Sequence, residues 1–289
     1  MYANVLVPVD GSPGERRAVA SALSLASTAD ATIHALSVVE PADDLADLGE
    51  TDREAIRRST EARGREATAD VMALAEDAGV EVVRHVREGR PHREIVAYAE
   101  EAGVDLIVMG TRGELDAADA RLGSTTERTL ALAEVPVLAV PPDADAEPTT
   151  PEIDRIVVPI DGSDAAERAA ENALDLAAVL GADVDAIYVI DRTVYDLEDA
   201  PRSIVGLLRE GGEASLAAVA EAADERGVGL TARTLRGVPE AEILAYADGV
   251  DTDLLAMGTR GRGGVGDRLL GSTTVRVIRR GSRPVLASA

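Results

Sequence analysis

The strongest constraint on this chain is that it is written twice. NVLVPVDGS at residues 4–12 returns as RIVVPIDGS at 155–163. PHREIVAYAEEAGVDLIVMGTRG at 91–113 returns as PEAEILAYADGVDTDLLAMGTRG at 239–261, and LGSTTERTLALAEVPVLAV at 122–140 as LGSTTVRVIRRGSRPVLAS at 270–288. The offset is 151 residues at Asp10/Asp161 and 148 at Gly110/Gly258, so the copies differ only by small insertions. PPDADAEPTTPE, residues 141–152, is rich in Pro and acid, lacks apolar periodicity, and reads as a linker. The sequence therefore predicts two domains, 1–142 and 153–289, each of ordinary domain size.

Within each copy, short β-like runs alternate with helical stretches. In the first copy the runs are Val5–Val9, Ile33–Val39, Val80–Arg87, Leu106–Met109 and Val137–Val140. Three of them, near 5–9, 106–109 and 137–140, are almost continuously apolar, as strands covered on both faces must be. Between them Glu15–Thr28, Asp52–Ala78, Pro91–Ala102 and Thr125–Ala133 carry apolar residues at helical spacing, with Pro91 and Pro239 suited to a first helical turn. Such alternation predicts an α/β fold with a doubly wound, Rossmann-like parallel sheet in each copy. Ligands of such sheets bind at the carboxyl ends of the strands, where the strand order reverses.

Composition narrows the chemistry. The chain has no Cys, Trp, Phe or Lys, so its 29 basic residues are all Arg, against 53 Asp and Glu and a net charge of −24. That charge opposes a nucleic-acid or anionic-membrane partner. At molar salt the Debye length falls to about 3 Å and the self-repulsion is screened. An acidic, Lys-free chain of this kind reads as a protein of a salt-accumulating cytoplasm, such as that of a halophilic archaeon. Without Cys there is no disulfide or thiolate chemistry, and without Lys no Walker lysine or Schiff base. No run reaches the ~20 apolar residues of a membrane span. MYANVLVPVDGS enters a strand with no signal-like segment, so a cytoplasmic protein is expected.

Two segments fall at the expected carboxyl ends. Asp10 and Asp161 follow the first strand of each copy. Each can accept from a ribose or base edge, or can cap its own turn beside a Gly. The second segment, MGTRGRGGVGDRLLGSTT at 257–274, places Gly261, Gly263, Gly264 and Gly266 after a buried strand, leaving backbone N–H groups open to an anion. Gly271 and Ser272 then open a helix whose first N–H groups favour a phosphate. Of the three histidines, His34 and His85 lie in strands and His92 opens a helix. None has metal-ligand spacing, and all three are expected to be structural.

From Gly258 to Ser272 the sequence resembles the G-x2-G-x9-G-[S/T] signature of ATP-binding universal stress proteins, with residues 262–270 as the nine-residue gap. V-P-[VI]-D-G-S, M-G-T and P-V-L-A in this chain are similar to the same family, and the likeness spans nearly all of both copies. It implies a five-stranded sheet of the adenine nucleotide α-hydrolase-like kind that pairs through its last strand with another copy. By that likeness Val135–Val140 would meet Arg283–Ser288 in an intramolecular pseudo-dimer. It also implies an adenine-nucleotide site. Pro159, Ile160 and Asp161 would line the adenosine end, and Val189 would meet the base. Met257, Gly258, Arg260 and Gly261 would flank ribose and phosphates, and Gly271, Ser272, Thr273 and Thr274 would hold the triphosphate. The matching positions in the first copy are Pro8, Val9, Asp10, Val38, Met109, Gly110, Arg112, Gly113, Gly123, Ser124, Thr125 and Thr126.

The copies are unequal. The first keeps the glycine spacing, but its gap ELDAADARL holds Glu114, Asp116, Asp119 and Arg121, net −2, where the second holds Arg262, Asp267 and Arg268, net +1. Ser124-Thr125-Thr126-Glu127 also has the form of a capping box, which would bring a carboxylate to the helix start. Val275 stands there in the second copy. The expectation is a tight site in the second copy and a weak or vestigial one in the first, with Asp116 or Asp119 as a conceivable Mg²⁺ holder. The functional expectation is an ATP-binding stress or energy-status module that acts by ligand-linked stabilisation. The alternatives are a slow ATPase or nucleotidyl transferase, disfavoured by the absence of Lys and of a general base, and an interaction scaffold. Whether two chains pair further is left open.

Overall fold

The structure, a computed structural model, describes residues 2–41, 49–112, 122–142, 153–192, 202–260 and 270–289. The chain divides into two compact units, Met1–Thr150 and Pro151–Ala289.

The first unit runs β1 (Asn4–Pro8), a 3₁₀ turn (Pro13–Glu15), α1 (Arg16–Ala29), β2 (Thr32–Val39), α2 (Glu50–Ala78), β3 (Val82–Glu88), α3 (Pro91–Glu101), β4 (Leu106–Gly110), α4 (Ser124–Leu132) and β5 (Val137–Val140). The second runs β6 (Arg155–Ile160), α5 (Asp164–Leu180), β7 (Asp183–Asp191), α6 (Arg202–Arg226), β8 (Leu230–Gly237), α7 (Pro239–Gly249), β9 (Leu254–Gly258), α8 (Ser272–Arg280) and β10 (Val285–Ser288). Within each unit the strands pair in parallel, in the order β3-β2-β1-β4-β5 and β8-β7-β6-β9-β10. These are the two doubly wound parallel sheets that strand–helix alternation predicts.

The chain builds outward from β1 through β2 to β3, then returns by α3 to place β4 on the other flank of β1. Strand order thus reverses between β1 and β4, and between β6 and β9 in the second unit. Val5, Leu6 and Val7 are at most 1% exposed, and Leu106, Ile107 and Val108 likewise, because helices cover both faces of these inner strands. Of the outermost strands, β3 alternates toward solvent and β8 is exposed along most of its length. α1 and α5 turn stripes of small and branched residues inward: Ala18, Val19 and Ala22 on one, Ala166, Ala169 and Ala173 on the other.

The starts and ends expected in the first copy all fall within two residues of the observed ones, with one difference in kind. The first helix was expected to begin at Glu15, but Pro13–Glu15 form a separate 3₁₀ turn and α1 begins at Arg16. In the second unit Ser163 caps α5 directly through a bond from Ala166 N–H, and no extra turn intervenes. Both long helices approach the second strand of their sheet at a glycine inside the helix. A Cβ on Gly64 would come within 2.7 Å of Ser37 Oγ, and one on Gly212 within 2.5 Å of the Tyr188 ring. Among the described residues no helix is long and apolar enough to cross a membrane.

Candidate functional site

At the carboxyl end of each sheet the chain leaves the fourth strand and returns as a helix. In the first unit Thr111 N–H donates to Val140 O at 2.9 Å, and Gly123 N–H donates to Thr111 O at 2.8 Å, which closes the neck of the loop. The second unit repeats this with Thr259 N–H to Ser288 O at 2.7 Å and Gly271 N–H to Thr259 O at 2.6 Å. Thr111 and Thr259 are buried beneath these necks. The loop residues themselves, 113–121 and 261–269, lie outside the described residues. With them go Gly113, Gly261, the inner glycines and the charges of both gaps.

The helix that follows begins one residue earlier than a capping box requires. Gly123 holds the N-cap with extended geometry (φ −60, ψ 141) and Ser124 is already helical, with no side chain capping the end. The expected Ser124–Glu127 box is therefore corrected: Thr126 stands third in the helix, and Glu127 stands fourth with its N–H on Gly123 O. Two bonds fix this frame. One is the Gly123 neck, and the other is Thr126 Oγ1, which donates to Gly110 O at 2.8 Å. Thr274 Oγ1 donates to Gly258 O at the same distance behind Gly271, the N-cap of α8. Both threonines are buried, and their hydroxyl protons hold the helix to the end of the strand. N–H groups at the start of each helix still lack intrahelical acceptors and face the strand ends, the usual setting of an anion.

The turn after β1 supplies the opposite wall. Asp10 Oδ1 accepts from Ser12 N–H at 2.9 Å and Asp161 Oδ1 from Ser163 N–H at 2.9 Å, around Gly11 (φ 79) and Gly162 (φ 76). The turn-capping role is thus realised in both copies. A carboxylate accepts on two oxygens, so a ligand contact is compatible with it. These turns press on the fourth strand. A Cβ on Gly258 would lie 2.7 Å from Ala165 C and 2.8 Å from Ala166 N, and one on Gly110 would lie 3.0 Å from Gly14 O.

In the first unit these parts enclose a cavity of about 550 Å³, within the range of small-molecule sites. It brings together eleven of the twelve expected residues: Pro8, Val9 and Asp10 from β1 and its exit, Val38 from β2, Met109, Gly110 and Arg112 from the end of β4, and Gly123 to Thr126. Only Gly113 falls outside, among residues not described. The corresponding elements place Pro159, Ile160 and Asp161 at the end of β6, Val189 in β7, Met257, Gly258 and Arg260 at the end of β9, and Gly271 to Thr274 at the start of α8.

Sequence reasoning missed two walls of the first cavity. Thr60, Arg63 and Gly64 of α2 line it, and so does Glu15. The Glu15 carboxylate accepts from Asp10 N–H at 2.7 Å and from Gly11 N–H at 3.1 Å. Desolvation pushes its pKa up to about 7, aided by the Asp10 carboxylate and opposed by the two backbone bonds. A glycine within a helical pattern was the available signal for the α2 wall, because it marks close approach to another element.

His34 bonds Tyr98 Oη at 2.8 Å and Asn4 Oδ1 at 3.3 Å, and burial, with His85 nearby, lowers its pKa. His85 packs on the Tyr98 ring. Among the described residues no group of acids and histidines has the arrangement of a metal site.

Two stretches, residues 1–141 and 152–288, match the model of the universal stress protein family. The universal stress protein MJ0531 of Methanocaldococcus jannaschii is 40% identical over 135 residues, covering 46% of this chain and 79% of the relative. A universal stress protein of Mycolicibacterium smegmatis is 30% identical over 297 residues, covering 98% of this chain and 95% of its own. The crystal structure of a universal stress protein from Archaeoglobus fulgidus superimposes with a TM-score of 0.73 at 25% identity, covering 99% of this chain and 95% of that one.

Proposed function

The chain belongs to the universal stress protein family, and on that premise we propose that it is an adenine-nucleotide-binding module that works by ligand-linked stabilisation and not by turnover. One observation carries this reading: a cavity of about 550 Å³ sits at the reversal of strand order, between an Asp-Gly-Ser turn and the N-terminus of a helix. The apolar strand ends suit a purine and the helix start suits phosphates. The second repeat has the same turn, neck and helix start, and adds a glycine-rich gap of net +1. It is the tighter site, with ATP bound as its Mg²⁺ complex. A nucleotide present at a hundred times its Kd would add about 2.7 kcal/mol to stability. The acidic surface fits a cytoplasm kept at high salt.

Calorimetric titration with ATP and Mg²⁺ at molar KCl tests this. Gly271→Asp is a clean block, because Asp is a favoured N-cap and sets a carboxylate where the phosphate would lie. The expected result is about one tight site per chain, kept in Gly123→Asp and lost in Gly271→Asp. Equal sites in both repeats would remove the asymmetry. No binding by the wild type would leave an interaction scaffold.

A further inference from the structure

We propose that Glu15 makes the cleft of the first repeat a proton-coupled anion site, in which binding of a phosphorylated ligand takes up a proton at this carboxylate. The inference rests on reading that cleft as a nucleotide site. Its ground is the seat that Glu15 occupies. Just ahead of the left-handed Gly11 (φ 79), the backbone at Asp10 turns two successive N–H groups, those of Asp10 and Gly11, toward one point. Such a pair is an anion-binding concavity. Glu15 Oε2 fills it at 2.7 Å from Asp10 N and 3.1 Å from Gly11 N, so the protein supplies its own anion at the wall of the cavity.

The second repeat shows the contrast. Its turn has the same Asp-to-Ser bond and the same left-handed glycine, but the residue that corresponds to Glu15 at the offset of 151 is Ala166. Ala166 has no carboxylate, and its N–H serves the Ser163 cap. The extra 3₁₀ turn of the first repeat is what brings residue 15 back over the strand end.

The charged groups around Glu15 set the direction of coupling. Asp10 lies on the same turn and Glu40 past the end of β2, while Arg63 of α2 and Arg112 past β4 line the same cavity. Arg16 follows on α1, and Arg17 of that helix donates to Pro141 O. Burial and Asp10 already hold the Glu15 carboxyl near neutrality, at about 7. Phosphate oxygens entering beside it add negative charge, which favours the protonated form further. Affinity at the first repeat therefore falls as pH rises through 7, and the neutral carboxyl can remain as a donor to the ligand or swing aside.

The test uses the full chain carrying Gly271→Asp, so that only the first repeat is open, with and without Glu15→Gln. Titration with ATP at pH 6, 7 and 8, each in two buffers of different ionisation heat, reads both affinity and proton uptake. The ligand's own titration cancels in the ratio of the two proteins. With Glu15 present, that ratio is expected to show about a tenfold additional loss of affinity from pH 6 to pH 8, as one coupled proton requires. Glu15→Gln should flatten the profile and bind at pH 8 as tightly as at pH 6, and Glu15→Ala, which copies Ala166, should do the same. Matching pH profiles with and without Glu15, or no binding by any of these proteins at pH 6, would overturn the inference. Binding by the Gly123→Asp chain, where only the second repeat is open, separates that outcome from failure of the nucleotide reading itself.

Discussion

At the exit of their first strands the two repeats part company, while a few ångströms away, at the loop neck, they are the same. Both necks use a threonine carbonyl and a glycine N–H, and both helices are tied back by a threonine hydroxyl at 2.8 Å. At the strand exit one repeat has a serine cap leading straight into α5, and the other has a 3₁₀ turn that folds an acid over the cleft. The contrast teaches that the first repeat has not simply decayed. It holds a cavity of about 550 Å³, and what differs in the structure is the carboxylate of Glu15 in the cavity wall, where the second repeat has Ala166.

The comparison can be broken at its tightest point. Gly258 faces backbone atoms at 2.7 to 2.9 Å, and Gly110 faces one at 3.0 Å. Gly258→Ala should therefore cost ~1–3 kcal/mol and Gly110→Ala less, read as a larger fall in Tm for the first variant. Equal losses would mean that the second repeat is no more tightly closed than the first.

A pH series sharpens the difference at residue 15. The folded pKa of Glu15 stands near 7 against 4.5 in the unfolded chain, so the folded state holds this proton more firmly. Its contribution is full below about pH 4.5 and fades as pH rises to about 7. Denaturant midpoints of the wild type measured against Glu15→Gln should diverge across that window by ~1–2 kcal/mol after solvent screening. A constant difference between the two proteins would refute the shift.

The shared feature has its own test. Thr126→Val and Thr274→Val each remove a bond to a strand carbonyl, and each should cost ~1 kcal/mol, equally in the two repeats. The smallest expected effect is at the caps. Ser163→Ala should lose ~1 kcal/mol, and Ser12→Ala only a few tenths, since Ser12 caps nothing through its side chain. Equal values would show that the two turns differ in outline alone.

Much of this was legible in the residues. The runs around Val5–Val9 and Leu106–Met109 fixed the inner strands because burial on both faces leaves no polar position. The repeat supplied the rest of the architecture by doubling every signal. STTE was misread because a capping box is recognised from spacing alone, and spacing cannot register that Gly123 is already held by Thr111. Glu15 was passed over because its neighbours in sequence, Arg16 and Arg17, make it look like one charge of an exposed helix. Its seat is the pair of N–H groups of Asp10 and Gly11, which only the folded turn brings to one point. Arg63 and Gly64 belong to a cavity wall 51 residues or more beyond the Asp-Gly-Ser turn, and no local pattern links them to it.

The bonded neck has an evolutionary consequence. Because Gly123 returns to Thr111, and Gly271 to Thr259, within hydrogen-bonding distance, the sheet and the helix meet the same boundary whatever residues lie between. The two repeats hold different sequences there, acids in one and glycines in the other, while the strand, the helix and the bonds that join them are the same. A duplicated gene with such a joint carries two replaceable cassettes on one frame, and exchanging 113–121 with 261–269 should move ligand preference between the halves without moving the frame.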